Sequence, residues 1–107
     1  GDRLGGHFVT GHVDGVAEVV AIREAPGAKD YFFRPPQGLA RYIAEKGSVA
    51  LNGVSLTVAG LKGQDFFVTL IPHTLKVTNL GSLKVGDGVN LEVDLIARYL
   101  ERLLKGE

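Results

Sequence analysis

The sequence predicts an all-β fold: a closed six-stranded antiparallel barrel of Greek-key type, with one short helix and a C-terminal helix. Short apolar runs recur along the chain and are separated by most of its 15 glycines, the rhythm of a small all-β domain. Several runs alternate apolar and polar residues, as strands with one buried face do. A chain of 107 residues, 45% hydrophobic and 22% charged, suits one globular domain with a modest core.

Turn signals divide the chain into candidate strands and one short helix. Apolar residues at 39, 42 and 43 predict a helix over 38–46, capped by Gly47. Asn52–Gly53 is a strong hairpin signal. The candidate strands, two of which adjoin at Asp14–Gly15, cover residues 7–13, 15–23, 31–34, 48–51, 54–58, 66–71 and 89–93.

The end of the chain reads as an amphipathic helix. Asp94 can cap its N-terminus, and its leucines, Ile96 and Tyr99 form one apolar stripe. On pattern alone, that stripe can pack on its own barrel or on a neighbouring subunit. We therefore expect a barrel over residues 1–94 and a helix over 95–107.

Composition excludes several classes of protein. The formal net charge is zero without runs of like charge, so the basic footprint of nucleic-acid or anionic-membrane binders is missing. No run approaches the ~20 apolar residues of a membrane-spanning helix, and no signal peptide is visible. We therefore expect a cytoplasmic protein. With no cysteine, it has no disulfide framework. Because it begins with Gly and contains no Met, we expect it to have been cut from a longer chain or trimmed at its start.

The opening GGHFVTGHV raises the question of a metal site. His7 and His12 are five residues apart, so strand alternation sends them to opposite faces unless a bulge forms at Gly11. No HExxH motif or carboxylate cluster is present either. The sequence thus predicts no metal site.

The strand VSLTV places Ser55 and Thr57 on one face and its apolar residues on the other. The two hydroxyls either face solvent or line a cavity at the barrel mouth. His73 follows Pro72 in a predicted loop, where recognition residues are common but surface histidines are commoner. A Ser–His–Asp arrangement of Ser55, His12 and Asp94 is open on residue type, yet the GxSxG elbow is absent.

Three long segments resemble one family. GGHFVTGHVDGVAEV, KGSVALNGVSLTV and FFVTLIPHTLKVTNLGSLKVGDGVNLEVDLIARYLERLL are similar to the C-terminal half of riboflavin synthase, from about Gly5 to Leu104. The resemblance implies a homologous N-terminal barrel, in which a cysteine usually stands at the position of Ser55. Position 52 departs from several relatives, with Asn where they carry Asp.

The resemblance also implies an activity. Riboflavin synthase dismutates two molecules of 6,7-dimethyl-8-ribityllumazine to riboflavin and 5-amino-6-ribitylamino-pyrimidinedione, without metal or organic cofactor. Its active site forms where a first barrel meets a second barrel, usually from a neighbouring subunit of a homotrimer. A single barrel is expected to bind the lumazine or riboflavin with little or no turnover.

Position by position, the resemblance implies a set of site residues. His12, Ser55 and Asp94 take catalytic roles: His12 moves protons, Ser55 adds to or orients the ring, and Asp94 supports a relay. Backbone groups near Ser55 and Leu70 are expected to bond the pyrimidine edge. The ligand-contacting residues are expected to be Gly11, His12, Val13, Lys46, Ser55, Leu56, Thr57, Leu70, Ile71, Pro72, His73, Thr74 and Leu75.

Two other functions fit the same fold. A non-catalytic module of the lumazine-protein type would hold a lumazine or flavin as chromophore. A purely structural, oligomerising barrel would bind no flavin.

Overall fold

Seven β-strands and one short helix make up the domain in a computed structural model, which describes residues 13–94 and also 99, 103 and 104. The predicted positions of Gly11, His7 and His12 lie outside these residues, as does most of the predicted strand 7–13. The strands are β1 (Gly15–Ala25), β2 (Ala28–Arg34), β3 (Ser48–Leu51), β4 (Val54–Thr57), β5 (Gly60–Lys62), β6 (Asp65–Leu70) and β7 (Gly88–Val93), and the helix is α1 (Pro72–Val77).

All seven strands belong to one antiparallel sheet, ordered β4-β3-β7-β1-β2-β6-β5. The all-β prediction is confirmed, with seven strands where six were expected. The extra strand is β5, a three-residue segment that matches none of the predicted strands. The two edge strands of this curled sheet, β4 and β5, follow each other in the chain. Between them, Val58 N–H donates to Gly47 O and Ala59 N–H donates to Phe67 O, both at 2.8 Å.

The core lies on one face of the curled sheet. β2 and β6 pair in unbroken register, so that Tyr31 and Phe33 stand beside Val68 and Phe66 and are almost fully buried. The Phe33 and Phe66 rings stack with centroids 5.4 Å apart. This alternation explains why the sequence showed period-two strands.

Two tight turns fix the hairpins. Ala25 pairs with Ala28 around Pro26–Gly27, and Gly27 takes the positive φ of 69° that a second turn position often needs. The predicted Asn52–Gly53 hairpin is confirmed, with φ of 50° and 84°. Its Asn52 side chain accepts a hydrogen bond from Asn90 N–H at 2.8 Å, which ties the turn to β7.

The predicted helix over 38–46 is wrong. Only Ala40–Tyr42 forms a single 3-10 turn, and Ile43 is already extended. Nine residues are too few for an isolated helix, and the apolar side chains of this segment pack onto the core without one. The predicted cap also differs, because the left-handed residue is Lys46, with φ 70°, and not Gly47.

The segment after β6 was expected to be a loop, but it forms α1. Pro72 occupies the first turn of that helix, where its missing N–H costs nothing. Proline therefore ends the strand and begins the helix. A 3-10 turn over Asn79–Ser82 follows and buries Leu80 completely.

Beyond Asp94, three described residues have helical backbone, as predicted: Tyr99, Leu103 and Leu104. Their side chains are 61%, 52% and 86% exposed. Across the part of the chain that the structure describes, no helix has the length and apolarity needed to cross a membrane.

Candidate functional site

The candidate site lies where β4 separates from the end of β6. Gly60 pairs with Phe67, and continuing this antiparallel register by three residues would set Thr57 opposite Leu70. The chain instead turns away at Val58, whose N–H and C=O bond to Gly47 O and to Lys46 N, both at 2.8 Å. β4 then pairs with β3. A gap therefore opens between the outer edge of β4 and the junction of β6 with α1.

The β4 side of this gap carries the two predicted hydroxyls. Val54 and Leu56 are half-buried and pack against the core, whereas Ser55 and Thr57 lie on the opposite face. The predicted alternation is thus confirmed. Because the Leu56 side chain points to the core, only its backbone is available to a ligand in the gap.

Lys46 lies next to Val58, the residue that follows β4. Its backbone N–H donates to Val58 O, and its φ of 70° is a conformation that lysine adopts at a cost of roughly 1–2 kcal/mol. The side chain is exposed. Lys46 thus lies next to the C-terminal end of β4.

The other side of the gap is the end of β6 and α1. Leu70 is buried, with 2% of its surface exposed, so its side chain belongs to the core and only its backbone can face a ligand. Ile71 is 53% exposed. His73 and Thr74 share one face of α1 with Val77, and His73 is exposed whereas Thr74 is half-buried.

Contacts with the core and with the following 3-10 turn fix the position of α1. Leu75 packs against the core, and Thr78 Oγ1 donates to Thr74 O at 2.7 Å. The 3-10 turn approaches α1 so closely that a Cβ on Gly81 would lie 2.5 Å from Leu75 O. The position of Thr74 therefore depends on this contact.

Two predicted contact residues also line a separate open cavity of about 760 Å³. Pro72, Leu75 and Lys76 form the opposite face of α1 from His73 and Thr74, and the β1–β2 turn forms the far wall. Pro72 and Leu75 thus lie behind α1 as seen from the gap.

The catalytic trio is only partly described. His12, with Gly11, lies outside the described residues. Asp94 follows β7, and continuing the register of Val49 with Val93 by one residue sets it opposite Ser48, the partner of Thr57. Ser55, Thr57 and Asp94 therefore share the face opposite to the core. Val13, just before β1, is 48% exposed.

Sequence reasoning missed Ser48 and Glu92, which the register adds to this face. Glu92 alternates with core residues in VNLEV, a signal that marks its face but not its neighbours. Among residues 13–94, 99, 103 and 104, no three His, Asp or Glu side chains are grouped to hold a metal ion.

Comparison with curated proteins finds close relatives of twice the length. The chain is 51% identical over 102 residues to riboflavin synthase of Photobacterium phosphoreum, covering 95% of this chain and 47% of that protein. It is 52% identical to riboflavin synthase of Brucella abortus and 48% identical to that of Mycobacterium tuberculosis, covering 51% and 54% of them. The chain therefore spans about half the length of the curated relatives that it matches.

Solved structures with a similar fold are also about twice as long as this chain. LumP complexed with riboflavin superposes with a TM-score of 0.78 at 30% identity, over 88% of this chain and 51% of that one. LumP complexed with 6,7-dimethyl-8-(1'-D-ribityl) lumazine gives 0.75 at 29% identity, over 79% of this chain and 48% of that one. The family of the lumazine binding domain matches residues 10–94. This chain, with its curled antiparallel sheet, belongs to the lumazine-binding domain family.

Proposed function

We propose that the chain is the C-terminal barrel of a riboflavin synthase, acting in the dismutation of two molecules of 6,7-dimethyl-8-ribityllumazine. The observation that carries this proposal is near-50% identity to riboflavin synthases along half of their length. The products are riboflavin and 5-amino-6-ribitylamino-pyrimidinedione, because one lumazine passes a four-carbon unit to the other. No cofactor is required.

The gap between β4 and α1 is the proposed ligand site. A ring lying there would bond backbone groups on the edges near Ser55–Thr57 and Leu70–Ile71. Exposed Ile71 would supply an apolar surface for the ring, and Lys46 and Thr74 would bond the ribityl hydroxyls. The remaining members of the proposed contact set are Gly11, His12, Val13, Leu56 and His73. Pro72 and Leu75 complete the set, but their side chains line the cavity behind α1, so only their backbone could contact the ligand.

Proton transfer and ring activation are assigned to three side chains. His12 removes or returns the proton of the lumazine methyl group, since an imidazole titrates near neutral pH. Ser55 adds to or orients the ring, and Asp94 supports the proton relay. Much of the rate would come from holding two ligands face to face.

A second ligand requires a second barrel. The relatives are twice as long, which fits a homologous N-terminal barrel in the complete protein. The exposed apolar side chains of Tyr99, Leu103 and Leu104 support an intersubunit helix in a homotrimer, with the helix separate from a barrel that ends at residue 94. We expect the barrel alone to bind ligand with little or no turnover, and the complete protein to work in the cytoplasm.

A non-catalytic binding module is the second candidate. The solved neighbours are LumP complexes with riboflavin, flavin mononucleotide and the lumazine. A protein of that type would bind the same ligands through the same gap, whatever barrel accompanies it, and would form no product.

Fluorescence titration with riboflavin and with the lumazine tests binding by the chain itself. A product assay with an added riboflavin synthase N-terminal barrel tests catalysis. Binding of both ligands, with riboflavin formed only when both barrels are present, supports the enzyme. Binding without product in the mixture favours the module, and absence of binding rejects the site.

A further inference from the structure

The cavity behind α1 lies on the side of that helix away from the candidate site. It is open to solvent, has a volume of about 760 Å³, and is bounded by α1, the 3-10 turn that follows it and the β1–β2 turn. This volume falls within the range of small-molecule pockets, roughly 300–1,000 Å³. Because His73 and Thr74 lie on the other face of α1, the cavity and the gap are separate places for a ligand.

One part of the cavity lining is apolar. Ala25 and Ala28, which pair at the end of the β1–β2 hairpin, are half-buried, and so is Leu75 of α1. Gly27 leaves the turn without a side chain, and a Cβ added there would meet no other atom within 4 Å. The apolar body of a ligand would therefore lie against small side chains with open space above them.

Two ammonium groups belong to opposite walls of the cavity. Lys76 is part of α1, and Lys29 is part of β2. Lys29 Nζ lies 3.8 Å from Glu24 Oε2, and these two side chains are 44% and 82% exposed. An exposed ion pair of this kind contributes roughly 0–1 kcal/mol, so the Lys29 ammonium group can turn to a ligand at little cost. With two lysines and one glutamate, the lining carries a net charge of +1.

The two hydroxyl groups of the lining already donate their hydrogens to the protein. Thr78 Oγ1 donates to Thr74 O at 2.7 Å, and Ser82 Oγ donates to Asn79 O at 3.1 Å. The side-chain donors that remain in this lining are the two ammonium groups. Hydrogen bonds from charged donors are strongest with anionic acceptors, so the lining favours an anion over a neutral polar molecule.

We propose that this cavity is a second binding site, which takes a small organic phosphate monoester. Its phosphate group lies between Lys29 and Lys76, and its apolar body lies against the alanine and leucine side chains. A phosphate monoester carries a charge of about −1.5 to −2 near neutral pH, which suits two ammonium groups on opposite walls better than a single carboxylate does. The site does not depend on the proposed function, because neither lysine belongs to the proposed lumazine contacts.

The test uses phenyl phosphate as the probe, in the absence of flavin. The chain is titrated with it, and the backbone amide resonances of Lys29, Lys76 and Gly81 are followed by ¹H–¹⁵N NMR. We expect saturable shifts in the parent chain. Lys76→Gln and Lys29→Gln, which remove one charge each, should bind about five- to tenfold more weakly. Lys62→Gln is the matched control and should bind as the parent does, because Lys62 pairs with Asp65 at the far end of β6.

Three further probes separate the parts of the proposal. Inorganic phosphate lacks the apolar body, benzyl alcohol lacks the charge, and benzoate replaces the phosphate by a carboxylate, so each should bind more weakly than phenyl phosphate. Absence of saturable shifts with phenyl phosphate, or equal binding by any of the three, overturns the proposal. Equal affinity in Lys76→Gln and Lys62→Gln also overturns it. Should Lys76→Gln not fold, Lys29→Gln decides by the same criterion.

Discussion

Two regions of this sheet differ in how completely their backbones are paired. In the aromatic region, β2 with β6, the register is unbroken, and rings stack on both faces: Phe33 on Phe66 at 5.4 Å inside and Phe32 on Phe67 at 4.8 Å outside. In the site region, residues 46–47, 54–59 and 70–75, β4 leaves β6, and Ile71 is exposed.

The difference separates stability from recognition. Paired strands with buried rings use all their bonding groups on the protein itself, whereas a gap leaves backbone groups for a ligand. Regions that bind are commonly drawn from the less stable parts of a fold. Substitutions in the aromatic region should therefore change unfolding, and those in the site region should change binding.

The largest effect is expected from Phe33→Ala. Removing a fully buried ring from a stacked pair should lower the free energy of unfolding by about 3–5 kcal/mol, measured by denaturant titration. Phe32→Ala, at a half-buried ring on the outer face, is the matched control and should cost clearly less. Equal losses would contradict the assignment of the core to one face.

Gly81→Ala links the two regions. Its Cβ would lie 2.5 Å from Leu75 O, so α1 or the 3-10 turn must shift, at about 1–3 kcal/mol. Because Thr74 moves with α1, riboflavin affinity should also fall. Gly88→Ala is the control, since its Cβ would crowd the exposed Val16 side chain at 2.9 Å, while the nearest backbone atom, Ala17 O, lies 3.9 Å away. If Gly81→Ala loses stability but keeps full affinity, α1 is not part of the site.

Ser55→Ala should separate binding from stability. Loss of one hydrogen bond of about 0.5–1.5 kcal/mol predicts roughly two- to tenfold weaker riboflavin binding by fluorescence titration. The thermal midpoint should stay nearly constant, because the hydroxyl lies off the core. Ser82→Ala, whose exposed hydroxyl donates to Asn79 O, should leave affinity unchanged. Unchanged affinity in Ser55→Ala would remove Ser55 from the site.

Lys46→Gly is expected to change stability only slightly, and in the opposite direction to Phe33→Ala and Gly81→Ala. Glycine relieves the positive φ, and after its unfolded-state entropy is subtracted, the free energy of unfolding should rise by about 0.5–1 kcal/mol. Riboflavin affinity should nevertheless fall with loss of the ammonium group.

Asn52→Gly is the control for this pair of effects. It relieves a similar φ but loses the hydrogen bond from Asn90 N–H, and it lies in the turn that ties β3 to β7. No gain in stability and no change in affinity are expected. A loss of affinity in Asn52→Gly would mean that the hairpin turn, too, reaches the ligand.

The strands that alternate cleanly were predictable from the sequence, and so was the Asn52–Gly53 turn. Both depend on local chemistry: period two for the sheet and positive φ for the turn. The helix over 38–46 was not predictable, because its three apolar positions fit the core equally well in an irregular path. The left-handed backbone of Lys46 was not predictable either, because the glycine that follows it is the residue expected to take that conformation.

The candidate site was predictable as a set of segments but not as a geometry. No local sequence pattern predicts that Val58 N–H bonds to Gly47 O while the next residue, Ala59, bonds to Phe67 O. The gap results from this change of partner. Likewise, the VNLEV pattern sets Glu92 off the core face, but only the partners of Ala50 bring it near Ser55. Long-range register carries this information.

The pairing of β1 with β7 has a consequence for the order of assembly. Gly15 and Leu91 are neighbours in the sheet but come from opposite ends of the described chain. Contacts of such long sequence separation are slow to form, because the entropy of closing a long loop is lost before the contact energy is gained. The hairpins around Pro26 and Asn52 can assemble first, so riboflavin should begin to bind a refolding chain only after most of the sheet has formed.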